Sequence, residues 1–214
     1  MKAIIGMGSV GTEIAKLWPD AKQIHHDQVD FNPRANLDIR LKEITQAIIT
    51  FGLLENIPFD KLNTLSPSKR DFSLVGIIDA NLSVPIAFVN ELIAYSSIKS
   101  IVLIGSMAYR RILTGLSIYG AAKAGLAHFI KCAAFELAPK DIKIAGIFPT
   151  NIWGTKISQD LINQVGEQHY DASRRLPEKL TVEKVAEYAV QLSDDLLKFP
   201  YLTGSIIEFN GGER

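Results

Sequence analysis

A single cysteine, Cys132, serves the whole chain of 214 residues, so no disulfide can form within it and no cysteine-built metal site is available. The apolar stretch around Cys132 suggests a small hydrophobe packed in a core. An excess of charge is lacking too: 23 Lys and Arg balance 23 Asp and Glu, with no long basic run. That balance argues against nucleic acid or an anionic membrane surface as the main partner. No uninterrupted apolar run approaches the roughly 20 residues that a membrane span needs. The opening residues lead at once into a strand and a glycine turn, without the long apolar region of a secretory signal, and imply a cytoplasmic protein. Low-complexity tracts, linkers and fixed-period repeats are absent as well. The expectation is one domain over residues 1–214.

What the chain does contain is alternation. Short β-rich runs fall at Lys2 to Gly6, Ala21 to His26, Ala35 to Ile39, Ala47 to Phe51, Ser100 to Gly105, Ile142 to Phe148 and Ser205 to Phe209. Several are apolar almost throughout, as strands covered on both faces must be. Helical patterns stand between them at Val10 to Trp18, about Phe72 to Tyr95, Ser117 to Leu137 and Val182 to Leu192. Pro19 should end the first helix at Trp18, Asp71 and Thr181 suit N-caps, and Pro85 predicts a kink. Such alternation predicts an α/β fold, a doubly wound parallel sheet of the Rossmann type with helices on both faces. Ligands of these sheets lie beyond the carboxyl ends of the strands.

The first such end carries Gly6-Met-Gly8-Ser9-Val10-Gly11, a G-x-G-x-x-G turn between a strand and a helix. Glycines there let the backbone approach a pyrophosphate at a helix N-terminus. Asp27, at the end of the second β run, is placed to accept hydrogen bonds from an adenosine ribose. The set points to a bound dinucleotide.

Tyr119-Gly-Ala-Ala-Lys123 puts a phenol and an ammonium on one face of a helix. A free tyrosine titrates near pH 10, and a neighbouring cation should lower that value toward use as a proton shuttle. Tyr95-Ser-Ser-Ile-Lys99 repeats the spacing, so position must separate the two pairs. Ser106 follows the strand Ile101-Val-Leu-Ile-Gly105 at its carboxyl end and can share a substrate oxygen with Tyr119. Leu82, at the matching distance before Tyr95, offers no hydroxyl, and Tyr95 precedes its strand. Tyr95 and Lys99 are a chance match.

Taken together, the chain resembles the short-chain dehydrogenase/reductase family over nearly its whole length. The spacing of Ser106, Tyr119 and Lys123 matches that family's catalytic set, and Asn81 matches its fourth member, which supports a proton-relay water. Leu37-Asp38-Ile39 corresponds to residues near the adenine, and Gly52 to the glycine after the next strand. The stretch to Pro149, with Ile152 and Thr155 beyond it, corresponds to the nicotinamide end of the site. Tyr201-Leu-Thr-Gly204 and Asn210-Gly-Gly212 resemble the C-terminal strand and glycine pair. Asp27 falls where NAD-preferring members keep their ribose-binding acid, which implies NAD, with NADP possible. Three departures stand out: a shorter glycine turn, Thr50-Phe51-Gly52 in place of Asn-Ala-Gly, and Thr150 in place of a glycine after Pro149.

The resemblance implies reversible hydride transfer between NAD(P) and a carbonyl or alcohol, in a homodimer or homotetramer joined through the helices of Asn81 and Tyr119. Two alternatives remain. An epimerase or dehydratase uses a similar Tyr and Lys but usually carries a larger C-terminal region, and a non-catalytic nucleotide sensor would have no need of all four residue types. His25 and His26 have no partner at ligand spacing, so no metal is expected. Arg110 and Arg111 read as a solvated loop, although they could meet an anionic substrate. The segment from about Asn151 to Pro177, where the family closes over substrate, is polar enough to be mobile.

Overall fold

The computed structural model describes residues 1–25, 41–172 and 174–212. Asp27, Asp38, Ile39 and the β run Ala35 to Ile39 lie outside the described residues. Among the described residues six strands form one sheet in the order β2-β1-β3-β4-β5-β6, every neighbouring pair parallel. They are β1 (Lys2–Ile5), β2 (Lys22–Ile24), β3 (Gln46–Ile49), β4 (Ser100–Ile104), β5 (Lys143–Pro149) and β6 (Ile206–Phe209). The predicted runs at these places are all strands, trimmed by a residue or more at most ends.

The apolar runs become strands because both sheet faces are covered. Ile4, Ile48, Val102, Ala145 and Ile147 point to one face and pack under α1 (Ser9–Leu17) and α6 (Val182–Lys198), through Ile14, Ala186, Ala189, Leu192 and Leu196. Their neighbours Ala3, Ile5, Ala47, Ile49, Ile101 and Leu103 point to the other face. There they meet α2 (Pro67–Tyr95) and α3 (Ser117–Leu137) through Phe88, Val89, Leu92, Leu126 and Ile130. This is the doubly wound Rossmann-type architecture. Phe148 needs room in that packing: a Cβ on Gly105 would stand 2.4 Å from its ring, and one on Gly146 2.6 Å. At the amino ends of the strands Gln46 and Ser100 are buried and tie the sheet to α6, Ser100 Oγ donating to the Ser193 carbonyl at 2.8 Å and Gln46 Nε2 to Asp194 at 2.8 Å.

Two local readings, the Asp71 cap and the burial of Cys132, are corrected. Asp71 does not cap α2; the helix already begins at Pro67, with Ser66 as its N-cap accepting from the Lys69 amide at 3.4 Å. A proline at the first helical position after a serine is a stronger start signal than an aspartate four residues on. Pro85 sits inside α2 directly after π turns at Phe72–Gly76 and Asp79–Ser83, so the helix is widened ahead of the proline. Cys132 is exposed, on the outer stripe of α3 with its Sγ 3.4 Å from His128 Nε2. Its neighbours Ala133 and Ala134 take the inward positions.

Trp18 ends α1 and Thr181 stands at the N-cap of α6, as the sequence implies, though Thr181 makes no capping hydrogen bond from its side chain. Although charged and polar residues interrupt its apolar pattern, α2 is long enough to cross a bilayer and contains an 18-residue stretch with a mean hydropathy of 1.8. In the fold its inner stripe is core, and Phe72, Leu74 and Val75 are exposed.

Candidate active site

The order of the strands fixes where a ligand can lie. β1 is followed by β2 on one side and by β3 on the other, so the chain reverses direction between β1 and β3 and opens a crevice at their carboxyl ends. A cleft of about 430 Å³ occupies that edge. Gly8, Ser9, Val10, Gly52, Ser106, Tyr119, Lys123, Pro149, Ile152 and Thr155 all line it. Of the described site residues predicted from sequence, Gly6, Gly11 and Asn81 lie behind the wall.

The glycine turn fits a dinucleotide phosphate. Gly6 has φ +93°, a conformation that L side chains rarely adopt, and a Cβ on Gly11 would stand 2.1 Å from the Gly6 carbonyl oxygen. These two glycines build the turn. Gly8 is different: nothing lies within 4 Å of where its Cβ would stand, and that open space faces the cleft at the N-terminus of α1. The first turn of α1 has no acidic residue to oppose an anion there. Thr50 stands where the family has asparagine, and its hydroxyl takes over the support of the turn by donating to the Gly6 carbonyl.

Ser106 is delivered by the end of β4, where a short turn over Met107–Tyr109 begins; its Oγ accepts from the Ala108 amide at 3.2 Å. Tyr119 and Lys123 come from the first turns of α3 and are 8% and 1% exposed. The Lys123 ammonium lies 5.6 Å from the centroid of the Tyr119 ring and donates to the carbonyls of Phe51 at 3.3 Å and Ile104 at 3.5 Å. Burial governs the titration of both. It pushes the phenol up to about 12, with the Ser106 hydroxyl within hydrogen-bonding reach acting in the opposite sense. It pulls the ammonium down to about 7. The expected lowering of the phenol by Lys123 is not found: desolvation disfavours the phenolate and the cation alike.

Asn81 is completely buried in the second π turn of α2. Its Nδ2 donates to the Leu53 and Ile77 carbonyls at 2.6 and 2.9 Å, and its Oδ1 accepts from the Leu53 amide at 3.4 Å. The side chain thus fastens the segment after β3 to α2. Thr155, predicted to meet the nicotinamide end, uses its hydroxyl in a reciprocal cap with Ser158 at the start of α4 (Lys156–Val165). The chance pair behaves as one: Tyr95 is exposed at the far end of α2 and Lys99 pairs with Asp141.

The sequence reading missed Tyr170, which is buried at the end of α5 (Glu167–Tyr170) and lines the cleft. Its hydroxyl donates to the Ile152 carbonyl at 3.1 Å, its ring meets Trp153 edge-on at 5.3 Å, and its pKa is raised by burial. The polar segment from Asn151 onward is thereby folded over the cleft. No local pattern marks Tyr170, because its partners lie about 18 residues away. Of the paired arginines, Arg110 is exposed as a solvated loop implies and Arg111 is not. Arg110 is bound to Glu208, and Arg111 is half-buried in the cleft wall. Tyr109 packs edge-on against Phe148 at 5.0 Å, beneath the pocket.

Comparison with known proteins agrees with this geometry. A sequence model for the family described as enoyl-(acyl carrier protein) reductase matches residues 56–213. An uncharacterized oxidoreductase of Mycobacterium tuberculosis is 27% identical over 78% of this chain and 65% of its own length. Carbonyl reductase family member 4 of Xenopus laevis is 33% identical over 53% of this chain and 44% of its own. The matches thus span between 44% and 65% of the length of such relatives. Among solved structures, a short chain dehydrogenase family protein from Francisella tularensis superimposes with a TM-score of 0.82 at 19% identity, over 99% of this chain and 97% of that one. A short-chain dehydrogenase/reductase from Serratia marcescens gives 0.79 at 16% identity, over 99% and 96%. At these identities the structures speak for the fold, and the family match speaks for descent. The chain belongs to the short-chain dehydrogenase/reductase family.

Proposed function

We propose that this protein catalyses reversible hydride transfer between a nicotinamide dinucleotide and a carbonyl or alcohol substrate. The observation that carries the reading is convergence: the Ser106 and Tyr119 hydroxyls and the Lys123 ammonium line the cleft into which the glycine turn opens. When bound, the cofactor supplies or accepts the hydride, which is chemistry no side chain here can perform. Gly8, Ser9 and Val10 would hold its phosphates, Gly52 the adjoining ribose, and Pro149 and Ile152 the nicotinamide end. Asp27 would favour NAD over NADP by repelling the extra phosphate.

In the reducing direction Ser106 donates to the substrate oxygen, and Tyr119 gives that oxygen its proton. Lys123, when charged, favours the resulting phenolate and binds the nicotinamide ribose. Asn81 acts by holding the Leu53 segment, and with it one wall of the site. The 3-oxoacyl-[acyl-carrier-protein] reductase of Bos taurus, 31% identical over 53% of this chain, supports a carbonyl as the reacting group. The assembly would be a homodimer or homotetramer through α2 and α3, whose exposed Phe72, Leu74, Val75 and Phe135 suit such an interface.

Steady-state oxidation of NADH against a panel of aldehydes and ketones tests the reading. Turnover that requires both cofactor and carbonyl is expected. Tight NADH binding without turnover of any carbonyl or alcohol would favour a nucleotide sensor instead.

A further inference from the structure

The segment Asn151 to Trp153, which leaves β5, is half-buried and runs between two cavities. Asn151 and Tyr170 line the cleft that holds Ser106 and Tyr119, and both also line a second cavity of about 180 Å³, walled by Trp153, Leu176 and Phe209. With space on either face, the segment is placed by specific bonds rather than by close core packing. The Thr150 amide donates to the Phe209 carbonyl at 3.1 Å, and the Trp153 amide to the Leu180 carbonyl at 2.8 Å. Between those anchors stands Tyr170. Asn151 Nδ2 donates to its carbonyl, its hydroxyl donates to the Ile152 carbonyl at 3.1 Å, and its ring meets Trp153 edge-on at 5.3 Å. One tyrosine engages three consecutive residues.

Tyr170 is itself held. Its amide donates to the Gly166 carbonyl at 3.0 Å at the end of α5. At the start of α5, Glu167 pairs with Lys179 at 2.9 Å, and the Lys179 ammonium lies 3.5 Å from the centre of the Trp153 ring. Both ends of α5 therefore grip the same segment. The Tyr170 hydroxyl stays a donor at working pH, because burial raises its pKa. Ser158 acts in the opposite sense, and Asp171 and Tyr119 add to burial. A ligand lying against a wall already fixed in this way does not have to order it on binding.

We propose that Tyr170 is a positioning residue for the cofactor: by holding Asn151 to Trp153 it presets the wall on which the nicotinamide ring lies. The inference rests on the reading of this cleft as a nicotinamide dinucleotide site and deepens it. Binding of the nicotinamide depends on a residue acting through the backbone of Ile152, whereas binding of the phosphates and adenosine does not.

Calorimetric titration with NADH and with ADP-ribose, which has the phosphates and both riboses but no nicotinamide, tests it. The proteins are wild type, Tyr170→Phe, Asn151→Ala and the double variant. Tyr170→Phe keeps the ring against Trp153 and removes the donor to Ile152. Its NADH affinity should fall by about 3- to 10-fold, the worth of one hydrogen bond, with ADP-ribose affinity within about twofold of wild type. Retained ADP-ribose binding also shows that the variant is folded. Asn151→Ala opens the same joint from its other partner and should show the same selective loss. Because the two residues act as one joint, the double variant should lose little more than the worse single. Unchanged NADH affinity in both single variants would overturn the inference. Equal loss of the two ligands would overturn it too, by assigning Tyr170 to general packing, as would fully additive losses in the double variant. Failure of wild type to bind NADH would defeat the dinucleotide reading, and this inference with it.

Discussion

The Lys123 ammonium lies 5.6 Å from the centre of the Tyr119 ring, one helical turn away, with both side chains withdrawn from water. Proximity alone would stabilise phenolate and cation together. Burial works against both, lifting Tyr119 to about 12 and lowering Lys123 to about 7.

Lys123 consequently gives stability a pH signature. Unfolded, it keeps its proton to its ordinary value of 10.5; folded, it gives the proton up near 7. Between those values unfolding takes up a proton, so stability rises with pH across that window. The cost of burying the cation is fully present below about pH 7 and shrinks by about 1.4 kcal/mol for each pH step of one across the window. Lys123→Met removes that cost. Relative to wild type it should gain most thermal stability at pH 6 and progressively less by pH 9.5. Melting curves of both proteins across that range check it, and a difference that does not vary with pH would show that Lys123 keeps an ordinary pKa.

The three glycines of the first turn should not respond alike. Gly8→Ala adds a methyl where nothing lies within 4 Å and where φ is −71°, so the melting temperature should hardly change. NADH affinity should fall, because the methyl enters the space proposed for the phosphates. Gly11→Ala drives a Cβ to 2.1 Å from the Gly6 carbonyl and should destabilise the fold. Paired melting curves and fluorescence titrations separate these effects; full NADH affinity in Gly8→Ala would move the phosphates away from this turn.

Coenzyme choice should follow Asp27. A carboxylate accepting from the adenosine ribose favours NADH and repels the phosphate of NADPH. Fluorescence titration should show tighter NADH binding, and Asp27→Asn should narrow the gap. Equal or tighter NADPH binding by wild type would refute this role.

Most of the architecture is legible in the sequence because it is local. The glycines of the first turn, the apolar strands and the spacing of Tyr119 to Lys123 depend on neighbours in sequence, and each lies where its pattern implies. What escapes depends on distant partners. Glu208 clamps Tyr109 and Arg110 from the last strand, Tyr170 closes over the cleft through Ile152 and Trp153, and Asn81 engages the backbone of Leu53. Cys132 departs from its expected place for a related reason: an apolar stretch on a helix has an outer stripe, and composition does not say which residue occupies it. The titration of Lys123 and Tyr119 departs because spacing reveals the partner charge but not the desolvation.

The central claim is that Tyr119 moves the proton, and Tyr119→Phe tests it with the loss of one oxygen. The ring and its packing in the cleft wall are kept, so the melting temperature and NADH affinity should stay close to wild type. With a carbonyl that wild type reduces, turnover should fall by about 10² to 10⁴, the usual contribution of a general acid. Tyr95→Phe, at the exposed end of α2, is the control and should retain full activity. A Tyr119→Phe protein that keeps more than about a tenth of wild-type turnover would contradict a general-acid role of this size.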